Sequence, residues 1–252
     1  MSVAAETLPG IPEVRAGDDL GELIAAAVSF PLAALADSDI VVIAHKVVSK
    51  AEGRVRHLPD VTPGAAAIAL AAEHGKDARL VQVVLDESAQ LLRARSGVLI
   101  TVTGHGFVCA NAGVDASNSA QDDTVILLPA DPDASARSIR DRLRSLTGCA
   151  PAVVVTDSFG RAWRNGQADV AIGCAGLSPL EDWRGRADSF GRELRATWIA
   201  IADEVAAAAD LARAKDSREP VVVVRGLGRH VTADDGPGAA VLRRPAAEDL
   251  FR

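Results

Sequence analysis

Ala152-Val-Val-Val-Thr156, followed at once by Asp157-Ser158-Phe-Gly-Arg161, is the stretch from which the fold can be read. A short, continuous run of small and β-branched residues is the pattern of a strand buried on both faces. Ile40-Val-Val-Ile43, after the turn Asp37-Ser-Asp39, has the same character, and Pro220–Arg225 is a further strand, ending on Gly226-Leu-Gly228. Working outward, Gly17-Asp18-Asp19 offers an N-cap, and Leu20, Leu23, Ile24, Ala27 and Val28 recur at helical spacing up to Pro31. Ser135–Thr147 has helix spacing, with Gly148 as a natural stop. Residues 62–76 read as an Ala-rich helix opened by Thr62-Pro63, and Glu87–Arg95 also reads as helical. Residues 193–214 read as the longest helix, with Leu194, Trp198, Ile201, Val205, Ala208 and Leu211 on one face. Val81–Leu85 fits a strand end or a helix start.

Val98–Thr103 alternates like a strand, breaks at Gly104-His105-Gly106 and resumes at Phe107–Ala110, which fits a hairpin or a bulged strand. Val125–Leu128 is a short strand, residues 160–191 a glycine-rich loop, and Leu8–Glu13 turn chemistry. Helices and strands intermix without a regular βαβ rhythm. The expected fold class is therefore α+β, a mixed β-sheet with packed helices, rather than a Rossmann fold. No internal repeat or linker divides the chain, so residues 1–252 are expected to form a single domain, with two interleaved subdomains as its variant.

The composition excludes several function classes. With 48% apolar residues in 252, the chain can bury a large core without a disulfide or metal staple. Acids outnumber bases 34 to 27, for a net charge of −7, which argues against nucleic acid as a partner. Aromatics are only 3%, with no Tyr, so base-stacking platforms are not expected. Cys109, Cys149 and Cys174 show no CxxC spacing and read as reduced, inert thiols of a cytoplasmic protein. Trp163, Trp183 and Trp198 read as packing residues. The N-terminus carries Glu6, Glu13 and Arg15 and no apolar signal region. Gly97–Val114 is uncharged but is interrupted by glycines, His105 and Asn111, so no membrane span is expected. GxxxxGK[ST], HExxH, GxSxG and zinc-type Cys/His spacing are all missing. Gly104-x-Gly106 and Gly226-x-Gly228 lack the third glycine of a dinucleotide fingerprint.

Three stretches carry chemistry. In His105-Gly-Phe-Val-Cys-Ala-Asn-Ala-Gly-Val-Asp115-Ala-Ser-Asn118 a strand gives way to small residues and then an acid. A carboxylate just past a strand end can hold a hard cation such as Mg²⁺ or Mn²⁺, and Asn118 can orient a phosphate or ribose. The alternative is an Asx-turn that closes the strand. In Val153–Asp169 a second strand delivers Asp157 beside the Ser158 hydroxyl, with Arg161 and Arg164 downstream for phosphate oxygens. The alternative there is a turn cap with solvated arginines. In His45-Lys46-Val-Val-Ser49-Lys50 two lysines four apart can reach phosphates, or form a basic surface turn. Asp203 and Glu204 lie on a helix face, where acids are usually solvated.

These stretches, with Lys46-Val-Val-Ser-Lys50-Ala-Glu-Gly-Arg54, Thr156-Asp-Ser-Phe-Gly-Arg161-Ala-Trp-Arg164-Asn-Gly-Gln167 and Ala202-Asp-Glu204, resemble in order the signature of the coenzyme F420-0:γ-glutamyl ligase family, from about Leu8 to the C-terminus. The resemblance implies a homodimeric α+β enzyme that adds L-glutamate to coenzyme F420-0 at the expense of GTP, releasing GDP and phosphate. It implies two divalent cations, Mg²⁺ or Mn²⁺, and leaves a monovalent cation open. Carried over by position, Asp115 and Asp157 would hold the first cation and Ser158 would help hold the second. Ile11, Pro12, Glu13, Val14, His45, Lys50, Asn118 and Lys215 would contact GTP. His45 stands where the family more often has Ser or Gln, Gly104 where a basic residue is frequent, and Ser158 where Thr is usual. These departures keep open a relative that ligates an amino acid to a different carboxylate, or a non-catalytic binding protein.

Overall fold

The computed structural model describes residues 2–28, 34–116, 123–214 and 217–249. In chain order the elements begin with β1 (Ala4–Thr7), α1 (Leu20–Val28), β2 (Ile40–Ala44), α2 (His45–Ala51) and β3 (Val55–His57). They continue with α3 (Ala65–His74), α4 (Ala78–Asp86), β4 (Ser88–Arg95), β5 (Val98–Thr103), β6 (Val108–Ala110), β7 (Thr124–Ile126) and α5 (Pro132–Thr147). The chain then forms β8 (Ala152–Arg161), β9 (Arg164–Ala175), the short β10 (Glu181–Asp182) and β11 (Trp198–Ile199), α6 (Ile201–Ala212) and β12 (Val221–Arg225).

The apolar strands assemble as a five-stranded sheet in the order β1-β12-β2-β8-β9. Only β2 and β8 run parallel, from Ile40 opposite Ala152 to Ala44 opposite Thr156, so the sheet is mixed as expected. Alternating side chains point to opposite faces. Val41, Ile43, Val153, Val155, Val221 and Val223 face α1, α2 and α5. Ile40, Val42, Val154, Val222 and Val224 face α6. Both faces are covered, which is why these strands lack the polar alternation of a half-exposed sheet. A second group of elements packs α3 and α4 against the antiparallel sheet β4-β5-β6, around Ala67, Ala71, Val81, Val84 and Leu99. Strands β3 and β7 form a two-stranded ladder that joins Val55 to Ile126.

Several helix limits fall where their caps put them. Asp19 accepts from the Glu22 amide at the start of α1, and Asp131 from the Ala134 amide at the start of α5. Gly148 ends α5 at φ 77°, a left-handed position that glycine takes without a Cβ clash. The alternatives at 81–85 and 98–110 resolve as a helix and as a β5–β6 hairpin.

Several expectations are corrected. Residues 88–95 form a strand rather than a helix, because α4 ends at Asp86 and the ladder to β5 outweighs local helix propensity. The expected loop at 160–191 contains β9, a twelve-residue strand hydrogen-bonded to β8. Its two-residue turn is Ala162-Trp163, with Trp163 at φ 58°, so the usual Asn-Gly turn signal was missing. The expected helix at 193–214 shrinks to Ile201–Ala212, and α5 is the longest described helix. Leu194 and Trp198 precede α6, and its buried face is Ile201, Ala202, Val205, Ala206 and Ala209. The helix at 62–76 begins only at Ala65, leaving Pro63 outside it. Trp163 and Trp198 are exposed at 79% and 51%, so they are not core packing residues of this chain. No described helix is long and apolar enough to cross a membrane.

Helix α5 approaches β9 at Gly173, where an added Cβ would lie 2.3 Å from the Pro132 carbonyl. The obstacle is backbone, which cannot rotate aside. Gly173→Ala is expected to lower the unfolding free energy by about 2 kcal/mol, read as a lower urea midpoint at unchanged slope.

Candidate functional site

The parallel ladder stops at Ala44 opposite Thr156. The next residue on one side is His45, the first of α2, and on the other Asp157, so the fold sets the two together. His45 Nε2 lies 3.2 Å from Asp157 Oδ1, close enough for a charge interaction but outside hydrogen-bond alignment, in a ring only 2% exposed. Lys46 places Nζ 2.7 Å from Asp115 Oδ2. Consecutive residues of one short helix thus each take an acid, Asp157 from within β8 rather than from its expected end and Asp115 from its bridge to Ile126. One turn on, Lys50 Nζ meets Glu13 Oε1 at 2.6 Å, which ties the segment 11–14 to the same helix. Val14 is buried and Ile11 packs on the same core, while Pro12 and Glu13 stay exposed. The segment is therefore pinned at both ends and presents its middle.

Asp115 is held in place by paired amide–carbonyl bonds with Ile126 of β7. The bridge fixes its backbone and the side chain meets Lys46, while the residues that an Asx-turn would cap lie outside the described residues. Phe107 stacks on His105 and meets Phe159 edge to face at 6.1 Å, which joins the 105–110 hairpin to β8 beside Asp157. Gly104 is exposed, and a Cβ there would meet nothing within 4 Å. A cation reaches this turn from elsewhere: Arg243 donates to the His105 carbonyl, with its guanidinium 5.3 Å from the Phe107 ring centroid.

Asp157 and Ser158 are neighbours in a strand, so their side chains leave opposite faces. Asp157 turns to α2. Ser158 turns to the α6 side, where its hydroxyl donates to Asp169 Oδ1 at 2.6 Å. Thr156 Oγ1 donates to Asp169 Oδ2 at 2.9 Å, and the Arg213 guanidinium donates to the same carboxylate. Asp169, Thr156 and Arg213 went unassigned in the sequence, because their meeting depends on the β8–β9 register. Arg161 is exposed and donates to the Asn165 carbonyl at 2.8 Å. It lies four residues, about 13 Å of strand, beyond Asp157. Asn118 and Lys215 fall outside the described residues.

The donor chemistry suits a hard divalent cation. Asp115 and Asp157 offer carboxylate oxygens and Ser158 a hydroxyl, the ligand types that Mg²⁺ and Mn²⁺ accept. The described residues bring together no group of three or more His, Cys, Asp or Glu. A hollow of about 560 Å³ opens at the far end of α2, between α1 and α5, lined by Asp18, Glu52 and Arg142. It contains neither Asp115 nor Asp157, and Arg142 is already paired with Asp19 and Glu22. The acids at the first turn of α2 are the better candidate centre.

The sequence profile described as F420-0:Gamma-glutamyl ligase matches residues 10–226. A relative from Methanothermobacter thermautotrophicus named coenzyme F420:L-glutamate ligase is 42% identical over 253 residues, covering 100% of both chains. A protein of the same name from Methanopyrus kandleri is 44% identical, over 98% of this chain and 96% of its own. One from Archaeoglobus fulgidus is 42% identical over 100% and 97%.

Burial pushes the Cys109 thiol up to about 12, reinforced by the nearby Asp157, and burial does the same to Cys174. Both stay protonated and shielded at neutral pH. Iodoacetamide at pH 8 should alkylate the half-buried Cys149 in the folded protein and leave Cys109 and Cys174 unmodified until urea is added, as read by peptide mass spectrometry.

Proposed function

The chain belongs to the F420-0:gamma-glutamyl ligase family, and on that premise we propose that it joins L-glutamate to coenzyme F420-0 at the expense of GTP, in the biosynthesis of coenzyme F420. The observation that carries this reading is the convergence of Asp115, Asp157, Lys46 and Lys50 on one short helix, in a chain that matches named ligases over nearly its whole length. A carboxylate is a poor electrophile at neutral pH, because its oxygen leaves badly. In the proposed sequence a carboxylate oxygen of the acceptor displaces GDP from the γ-phosphorus of GTP, giving an acyl phosphate. The glutamate amine then attacks the acyl carbon, phosphate leaves, and the amine proton passes to solvent or base.

In this reading Asp115 and Asp157 hold one divalent cation and Ser158 contributes to a second. The cations would supply neutralisation of the phosphate charge that builds up in transfer. Lys46 and Lys50 are placed to meet phosphate oxygens as point charges, and doing so requires each to exchange its present carboxylate partner for phosphate. Residues 11–14, His45, Asn118 and Lys215 complete the proposed nucleotide contacts. Because β8 runs past the end of β2, its edge beyond Thr156 has no strand beside it on that side among the described residues. Phosphates laid along that edge would reach Asp157 on one face and Ser158 on the other. A homodimer belongs to the same reading, supported by large apolar side chains left exposed at Trp163 and Phe190.

The test is mass spectrometry of products formed from F420-0, GTP, L-glutamate and Mn²⁺. The reading requires glutamylated F420 with matching GDP release, whereas GDP release only with another carboxylic acid would replace the acceptor. Asp157→Asn removes a ligand charge and should lower turnover roughly 100-fold or more while circular dichroism stays unchanged. Lys50→Ala should weaken GTP binding by roughly 10- to 100-fold in calorimetry, the range expected for loss of a charged hydrogen bond.

A further inference from the structure

We propose that Asp169 is a positioning residue that fixes the Ser158 hydroxyl as a lone-pair donor toward the second cation site, an inference that rests on the proposed role of Ser158. Asp169 is 3% exposed and stands directly across the ribbon from Ser158, in register on β9. Its carboxylate receives Ser158 Oγ at 2.6 Å on one oxygen, and Thr156 Oγ1 at 2.9 Å with the Arg213 guanidinium on the other. Arg213 also donates to Thr156 Oγ1 at 3.1 Å and to the Pro220 carbonyl at 3.1 Å.

Every direction in this network is set. Arg213 can only donate, so Thr156 accepts from it and passes its own proton to Asp169. The acceptor carboxylate then takes the one proton Ser158 has. Whatever else meets Ser158 Oγ therefore meets lone pairs, the arrangement a cation needs. A serine without such a partner turns its proton freely and presents it outward part of the time. The arrangement is also rigid: Arg213 is 9% exposed and anchors the end of α6 to the ribbon, so the carboxylate cannot swing away. Outer residues that orient a metal ligand in this way typically govern affinity by 10- to 100-fold.

Asp169→Asn reverses the polarity without changing the shape. Arg213 and Thr156 would keep the amide oxygen on their side, leaving the amide NH₂ facing Ser158. Ser158 would then accept and point its proton at the cation. The measurement is a double-mutant cycle of Asp169→Asn and Ser158→Ala, read as Mn²⁺ affinity and stoichiometry by electron paramagnetic resonance, with a non-hydrolysable GTP analogue present. Expected is a loss of about tenfold at one of two Mn²⁺ sites for Asp169→Asn, and no further loss when Ser158 is already alanine. If Ser158→Ala weakens Mn²⁺ and Asp169→Asn does not, this inference is overturned while the reading of Ser158 stands. Equal losses from Asp169→Asn in both backgrounds would make Asp169 a structural residue and overturn it as well. Unchanged Mn²⁺ binding in Ser158→Ala would overturn the reading of Ser158 and the inference with it. Should Asp169→Asn fail to fold, Thr156→Val takes its place in the cycle. That variant removes one of the two donors on the carboxylate's far oxygen, and a loss of about threefold that depends on Ser158 is expected; a loss independent of Ser158, or none, overturns the inference.

Discussion

The ladder between β2 and β8 is five residue pairs long, and the site hangs on where it stops. Ile40–Ile43 and Ala152–Thr156 are buried in a sheet covered by helices on each side, so neither strand can slide by one residue without turning valines and isoleucines into the wrong layer. That register makes His45 and Asp157 the first residues beyond the ladder on neighbouring strands. Strand β2 then gives way to α2, while β8 runs on paired with β9. The same constraint thus produces a short helix bearing cations and a two-faced ribbon bearing an acid and a hydroxyl.

Charge is concentrated against the grain of the whole chain. The protein carries a net charge of −7, yet α2 brings Lys46 and Lys50 together within two turns, each against a carboxylate from a different part of the sequence. Pairs of this kind at a partly buried centre are not explained by stability alone, since exposed ion pairs contribute about 0 to 1 kcal/mol. Grouped cations beside oxygen ligands are what the proposed polyphosphate recognition needs. The ribbon's other face follows a different logic, with one buried carboxylate collecting three donors.

Much of this was visible in the residues themselves. The valine-rich runs at 40–43, 152–156 and 221–225 and the caps at Asp19 and Gly148 were each legible, because they depend on neighbours in the chain, whereas Asp157, read as the end of a strand, lies inside β8. The segments misread were those whose local preference was overruled. Ser88–Arg95 reads as helix until β5 pairs with it, and β9 reads as loop because its glycines and its Ala162-Trp163 turn carry no usual hairpin signal. Leu194 and Trp198 fitted a helical stripe that stops short of them.

What the sequence by itself determined is the mixed α+β architecture and the family, since hydrophobic period, caps and motif order are properties of short stretches. What only the tertiary structure decided is which groups meet: Lys46 with Asp115 across 69 positions of chain, Asp157 with His45, and Ser158 with Asp169 and Arg213. It also decided that Asp157 and Ser158, adjacent in sequence, serve opposite faces of the ribbon. The physical reason is that pairing register and sheet face are fixed by long-range packing, and a hydrogen bond between distant residues leaves no mark on the local pattern of either.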